Sequence, residues 1–309
     1  MLLERVDINP NTAAKDSLTP LLVATRKGHE GVVKTLLEQH DVNPNTADEH
    51  SQTPLFIAAQ KGRERIVKIL LERVDIKPRI AEKSNLTPLW IAASRGHEEV
   101  VKMLLERNDV NPNTTDELSQ TPLIIAAWKG YERVVKMLLE RADINPNTAK
   151  KNGLTPLLIA TLEGREGVVK MLLERNDVNP NTADEHGQTP LFIAAWKGRE
   201  RVVRMLLERV DINPNIATPS GQMPLMIAAR NGHEGIVRIL LERVDVSSDM
   251  TDLTGVTALS QALNRGHDAI AKLLSERRNF IPPLGSDGST THSSHLDQRP
   301  SKRIRRSDV

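Results

Sequence analysis

The triplet Thr-Pro-Leu recurs every 34 residues, beginning at Thr19, Thr53, Thr87, Thr121, Thr155 and Thr189. Altered copies keep the beat as Met223-Pro224-Leu225 and Thr257-Ala258-Leu259, and glycine returns in phase at 28, 62, 96, 130, 164, 198, 232 and 266. Leu-Leu pairs follow the same rhythm at Leu36-Leu37, Leu70-Leu71 and Leu104-Leu105. A fixed period of this size marks units too small to bury a core alone, which must stack and share one. Such an array grows along one axis, so 309 residues need not mean two domains.

The physics of one unit predicts its elements. In residues 53–86, Thr53 is placed to cap a helix through its hydroxyl and Pro54 suits the first helical position. Leu55, Ile57, Ala58 and Ala59 give that helix an apolar face with room for a close neighbour, and Gly62 can end it in the left-handed conformation. Glu64 opens a second helix at the positive end of its dipole, with Ile66, Val67, Leu70 and Leu71 as the buried stripe. Glu64 and Lys68 are an acid-first pair four apart, repeated at Glu30/Lys34, Glu98/Lys102, Glu132/Lys136, Glu166/Lys170, Glu200/Arg204, Glu234/Arg238 and Asp268/Lys272, which reads as a solvated helix face. A Pro/Asn-rich connector, Asp41 to Gln52 in the first unit, reads as turns that project from the stack.

Helix, tight turn, helix and projecting turn resembles the ankyrin repeat, carried by Thr-Pro-Leu, Ala58-Ala59, Gly28-His29, Val32-Val33 and Leu36-Leu37. The resemblance spans roughly residues 1–278 and implies an all-α repeat solenoid of stacked helix-turn-helix units with projecting β-hairpin-like loops. The expected division is a partial repeat over 1–18, eight ankyrin-like repeats over 19–278 and a disordered basic tail over 279–309. Three departures stand out. The family's histidine after Thr-Pro-Leu is replaced by Leu22, Phe56, Trp90, Ile124, Leu158, Phe192 and Met226, exchanging a hydrogen-bonding imidazole for apolar bulk. The period is 34, against about 33 in the family. The glycine expected after the second helix is missing, with Val74, Asn108, Ala142, Asn176 and Val210 near that point, so this helix is expected to end without a left-handed cap.

The ends differ from the middle. Met1-Leu2-Leu3-Glu4-Arg5 matches Met103-Leu104-Leu105-Glu106-Arg107 in phase, so the chain is expected to open in mid-repeat. Ser260, Gln261, Asn264 and Ser275 make the last unit more polar, as a terminal cap requires. Residues 103–136 and 171–204 differ only at six positions, leaving 28 of 34 identical. That near-identity resembles the arrays attached to nucleotide-binding switch domains in filamentous-fungal incompatibility and immune-type receptors.

Composition narrows the chemistry. There is no cysteine, hence no disulfide or thiolate ligand, which suits a reducing compartment. No apolar stretch is long enough to span a membrane and no secretory signal is readable, so a cytoplasmic or nuclear location without membrane contact is expected. Beyond Arg278 lie five Lys/Arg and three acids of the totals of 42 and 40, so 37 of each sign remain in the body. A neutral body argues against direct nucleic-acid binding. No metal-protease, phosphate-loop or nucleophile-elbow motif occurs, so no enzyme, cofactor or small-molecule substrate is expected. Histidines 29, 97, 233 and 267 sit in the Gly-His turn and read as structural.

What the pattern does support is a protein partner. The two residues before each turn glycine face the concave groove in ankyrin arrays, and here they vary while the framework does not. Trp128, Lys129, Leu162, Glu163, Trp196 and Lys197, with Arg95 and Arg230 further along, are the candidate protein-binding residues. The Trp–Leu–Trp series spans about 20 Å at roughly 10 Å per helix layer. The acidic, nearly identical loops Asp48–Gln52, Asp116–Gln120 and Asp184–Gln188 are a second candidate surface, suited to a repetitive or basic partner. In the tail, Lys302, Arg303, Arg305 and Arg306 resemble a nuclear-import signal, and Ser307-Asp308-Val309 a terminal peptide ligand. The leading expectation is a non-enzymatic protein–protein interaction scaffold; the rivals are the recognition arm of a larger nucleotide-binding signalling receptor and a nuclear adaptor or transcription-associated factor.

Overall fold

The computed structural model describes residues 9–13, 17–79 and 83–279. Among them are sixteen helices in eight pairs. The first helices are α1 (Pro20–Lys27), α3 (Pro54–Gln60), α5 (Pro88–Arg95), α7 (Pro122–Lys129), α9 (Pro156–Glu163), α11 (Pro190–Lys197), α13 (Pro224–Arg230) and α15 (Ala258–Asn264). The second helices are α2 (Glu30–Leu37), α4 (Glu64–Leu71), α6 (Glu98–Leu105), α8 (Glu132–Leu139), α10 (Glu166–Leu173), α12 (Glu200–Leu207), α14 (Glu234–Leu241) and α16 (Asp268–Asn279). Each helix packs on its pair mate and on the same helix of the adjacent units, which is an all-α repeat solenoid. The segments of residues 1–8 and 280–309, and with them the opening Met1–Arg5 half-helix and the whole basic tail, lie outside the described residues.

The signals that start and stop the first helices work as their chemistry requires. The hydroxyls of Thr19, Thr53, Thr87, Thr121, Thr155 and Thr189 each accept from the backbone N–H three residues on. Met223 has no such group and caps nothing, whereas Thr257 and Ser260 form a reciprocal capping box. The turn glycines hold positive φ, 83° at Gly28 and 78° at Gly130. Pairs such as Ala92-Ala93 and Ala126-Ala127 are fully buried, so the first helices approach one another more closely than the second helices do. A row packed tighter on one side bends toward it, which makes the first-helix side the inner, concave one.

The second helices end without a left-handed residue, as expected: Glu38, Glu72, Glu106, Glu140, Glu174, Glu208 and Glu242 keep right-handed backbone there. What replaces the glycine cap comes from the next unit. Arg209 donates from Nη1 to the carbonyls of Leu173 (2.9 Å) and Arg175 (2.8 Å), and from Nη2 to that of Val178 (3.3 Å). Its other edge grips both oxygens of Asp211 at 2.8 and 2.7 Å. Arg73 and Arg141 repeat the arrangement, and Arg107, Arg175 and Arg243 keep the Asp grip with one carbonyl each, so each guanidinium satisfies backbone at the negative end of the preceding helix.

A second ladder runs beside it. The Asn45 amide donates to the Asp75 carbonyl (2.8 Å) and accepts from the Lys77 N–H (2.8 Å). Asn11, Asn113, Asn147, Asn181 and Asn215 make the same double contact with the next connector. At the equivalent position of the third connector stands Arg79, which cannot accept.

The loops are hairpin-like as anticipated, yet without strands among the described residues; only an isolated bridge joins Thr251 and Thr257. In the first, the Asp48 N–H bonds the Gln52 carbonyl and the Ser51 N–H the Asp48 carbonyl, at 3.1 and 2.9 Å. The closing residue is left-handed in every described loop: Ser17, Ser51, Asn85 and Ser119 in the early ones, Gly153, Gly187, Gly221 and Gly255 in the later. Of the acid-first pairs read as intrahelical, only Glu234–Arg238 closes among the described residues, at 2.6 Å. Glu30, Glu98 and Glu166 instead meet Arg65, Arg133 and Arg201 of the following unit at 3.4, 3.1 and 3.1 Å. The arginine fork outreaches the lysine across the gap between adjacent helices.

Candidate binding surface

The last turns of the first helices present the candidate side chains on the inner side. Trp128 ends α7 at 39% exposure and Trp196 ends α11 at 40%, both on a scaffold whose neighbouring alanines are fully buried. The Nζ of Lys129 lies 4.4 Å from the Trp128 ring centroid and that of Lys197 4.2 Å from the Trp196 centroid. Each indole thus carries its own cation over the ring, a contact of about 0.5–1 kcal/mol at an exposed site. Leu162 is only half available: it leans on Leu154, Leu158 and Ile193, so the middle of the apolar strip is recessed between the two rings. Glu163, Arg95 and Arg230 are exposed on the same row.

The two Trp backbones are tied into the next unit. Arg165 donates to the Trp128 carbonyl (3.3 Å), and Asn231 and His233 donate to that of Trp196 (3.1 and 3.2 Å). His97 and His267 donate likewise to the carbonyls of Gln60 and Arg230, each at 3.2 Å, so these turn histidines are bracing groups. Beside Trp196 a hollow of about 510 Å³ opens between the helix ends and the loops, lined by Phe192, Arg230, Glu185, Gln188 and Ser220 among others.

Two residues read as apolar bulk or groove surface are struts. Trp90, standing where the family carries histidine, donates from Nε1 to the Gln120 carbonyl of the next loop at 2.9 Å, so a hydrogen-bonding group is present there after all. Arg26 is joined to Asp48 at 2.8 Å, with the carboxylate fully enclosed. The neutral charge of the body also conceals a segregation. Exposed Lys27, Lys61, Arg95, Lys129, Lys197, Arg230 and Arg265 line the inner row against Glu163 alone. The compensating acids stand elsewhere, largely at the starts and ends of the second helices.

Among the described residues no three His, Asp or Glu side chains are grouped as metal ligands, and no helix is long and apolar enough to cross a membrane. The import-signal residues Lys302, Arg303, Arg305 and Arg306 lie outside the described residues. A comparison with curated proteins finds no match. The family model for ankyrin repeats matches residues 1–80, 73–148, 142–218 and 210–281, which is nearly the whole helical array. With its paired helices, glycine turns and projecting loops, the chain belongs to the ankyrin-repeat family.

Proposed function

We propose that the chain is a non-enzymatic protein-binding array that takes one protein partner on its inner row and loop tips. Ankyrin repeats are in general protein–protein interaction modules. The observation that carries the reading is the pair of half-exposed indoles, Trp128 and Trp196, held two units apart at the ends of helices whose preceding residues are buried. Trp is the residue most enriched at binding hot spots, and a rigid scaffold loses little ordering entropy on association. Lys129 and Lys197, with Arg95 and Arg230, make the rim basic. The matching partner presents apolar side chains ringed by acids, with Leu162 and Glu163 marking the recessed, less basic centre.

The test uses a partner recovered from cell extract, purified and titrated by calorimetry. Trp128→Ala and Trp196→Ala should each weaken binding by at least about 2 kcal/mol while leaving the melting temperature unchanged. Lys129→Glu and Lys197→Glu should chiefly slow association, with an effect that fades in high salt. Binding that survives both Trp substitutions while the fold is destabilised would make the rings packing residues and move the site to the loops.

A further inference from the structure

The loop tips carry a charge pattern that the inner row does not use. The outermost residue of successive loops is Glu49, Lys83, Glu117, Lys151, Glu185, Pro219 and Leu253, all exposed. The first five alternate in sign. In the acidic loops the second carboxylate, Asp48, Asp116 or Asp184, turns inward to accept N–H groups of its own turn, and Glu82, which precedes Lys83, lies outside the described residues. The third, fourth and fifth tips are fixed to one another: the Lys151 N–H bonds the Leu118 carbonyl at 3.2 Å and the Glu185 N–H that of Asn152 at 3.3 Å. The row thus sets alternating charges at the helix-layer spacing of about 10 Å, with its last three charged tips tied together. Among the described residues none of these tip side chains pairs with another tip; Glu49 and Glu185 meet only the histidine beside them.

We infer that this row is an interface with a second copy of the chain, related by a two-fold axis between the third and fourth tips. An antiparallel copy centred there sets Glu117 opposite Lys151 of the second copy and Lys83 opposite its Glu185, each contact occurring twice as two-fold symmetry demands. Glu49 then faces uncharged Pro219. Sliding the copy so that the axis passes through the third tip brings like signs opposite one another, with Glu117 on Glu117 and Lys83 on Lys151. The alternation thus attracts and at the same time penalises a one-step slip of the two copies, as like-charge juxtaposition does in specific interfaces. Leu118, 56% exposed at the third tip, lies next to the axis and supplies apolar contact there. Pairs of this kind are exposed and individually weak, so the association is reversible and strongly salt-dependent. The interface adjoins the inner row, since Glu185 also lines the hollow beside Trp196, so a second copy and a partner seated there compete, and self-association is read with no partner present.

Sedimentation equilibrium of the whole chain tests it. At about 0.01 M salt, where charges are felt over about 30 Å, the chain should be a concentration-dependent dimer; at about 1 M, where that reach is about 3 Å, a monomer. Lys151→Glu alone, or Glu117→Lys alone, sets like charges opposite and should weaken dimerisation by about tenfold or more. The double variant Glu117→Lys/Lys151→Glu restores opposite signs in this register and should recover the dimer. If the alternation serves only attraction between neighbours in one chain, the wild type stays monomeric at low salt and the double variant melts below it. Either a monomeric wild type at low salt or a dimer indifferent to Lys151→Glu overturns the proposal, as does a double variant no better than the singles.

Discussion

Replacing Arg141 with alanine isolates the contact that stands in for the missing glycine cap. The guanidinium is 18% exposed and donates to the carbonyls of Leu105 (2.6 Å), Arg107 (3.2 Å) and, weakly, Val110 (3.4 Å), while both Asp143 oxygens lie within 2.9 Å. One strong charge-assisted hydrogen bond contributes about 1.5–3 kcal/mol, and a carbonyl left unpaired costs a further fraction where water cannot reach it. Because this edge of the stack borders solvent, Arg141→Ala should cost about 2–3 kcal/mol. Arg141→Lys should recover less than half, since an ammonium cannot reach three carbonyls and a carboxylate at once. The Asp143 carboxyl is held below its ordinary range first by the hydrogen bond from Arg141, which outweighs the opposing effect of desolvation, with a lesser pull from the Arg141 charge. A depressed carboxyl pKa means stability that is present above about 3.9, the unfolded value, and lost as pH falls through the lower folded one. A double-mutant cycle of Arg141→Ala and Asp143→Ala should therefore show coupling at pH 7 that is lost as pH falls through the lowered folded-state value, whereas the Arg–carbonyl contribution persists. Urea melts followed by far-ultraviolet circular dichroism and Trp fluorescence, fitted with nearest-neighbour coupling because arrays need not unfold in one step, provide the numbers. A loss under about 0.5 kcal/mol, the range of an ordinary surface change, or coupling indifferent to pH, would refute the assignment of Arg141 as the cap.

Three further outcomes follow from the same structure. Leu138 is fully buried in α8, and Leu138→Ala should cost about 2–5 kcal/mol in the same melts; a loss confined to the surface range would contradict the packing. Ser119 holds φ 61° where later loops carry glycine, so Ser119→Gly should stabilise by up to about 1 kcal/mol once glycine's own entropy is counted. The reverse change, Gly153→Ser, should destabilise by more, because its Cβ would sit 2.8 Å from the Glu185 backbone nitrogen; equal and opposite effects would show the loops are not stacked as described. Residues 279–309 fused to a neutral reporter should concentrate it in nuclei through Lys302, Arg303, Arg305 and Arg306, and alanine at all four should abolish this; a uniform distribution with the basic residues intact would reject the import signal.

The helices were legible because their determinants are local. Thr53 reaches a backbone N–H three residues away, Gly62 turns the chain where it stands, and the Ile66–Leu70 stripe follows helical spacing. What joins the units was not legible in that way. Arg209 acts on carbonyls 31 to 36 residues back, and Asn181 on a connector 30 to 32 residues ahead, so neither partner appears in a local window. A signal existed: Arg-x-Asp and Asn-Pro-Asn keep the same phase as Thr-Pro-Leu, and polar residues on a repeat beat imply contacts with the next repeat. The exposed Trp pair was found because inner-row positions vary, but the strut roles of Trp90 and Arg26 depend on which loop atoms face them, and that is tertiary geometry.

The gap in the amide ladder at Arg79 bears on how the array comes apart. In a linear stack, cooperativity passes only through neighbouring interfaces. At this joint two amide hydrogen bonds are replaced by the more diffuse pull of the Arg79 charge on the Asp109 carboxyl, and Arg107 reaches a single carbonyl of the preceding unit, that of Leu71 at 3.2 Å. Arg175 and Arg243 likewise reach one carbonyl each, those of Leu139 and Leu207, whereas Arg209 reaches three. The same two connectors are instead joined nearer the loop end, where the Asn85 amide donates to the Thr115 carbonyl, Thr87 meets Thr114 at 3.3 Å and the Trp90 indole donates to the Gln120 carbonyl at 2.9 Å. A load along the stack therefore crosses this joint by a different path, and cutting these three contacts is what would divide the chain into two blocks.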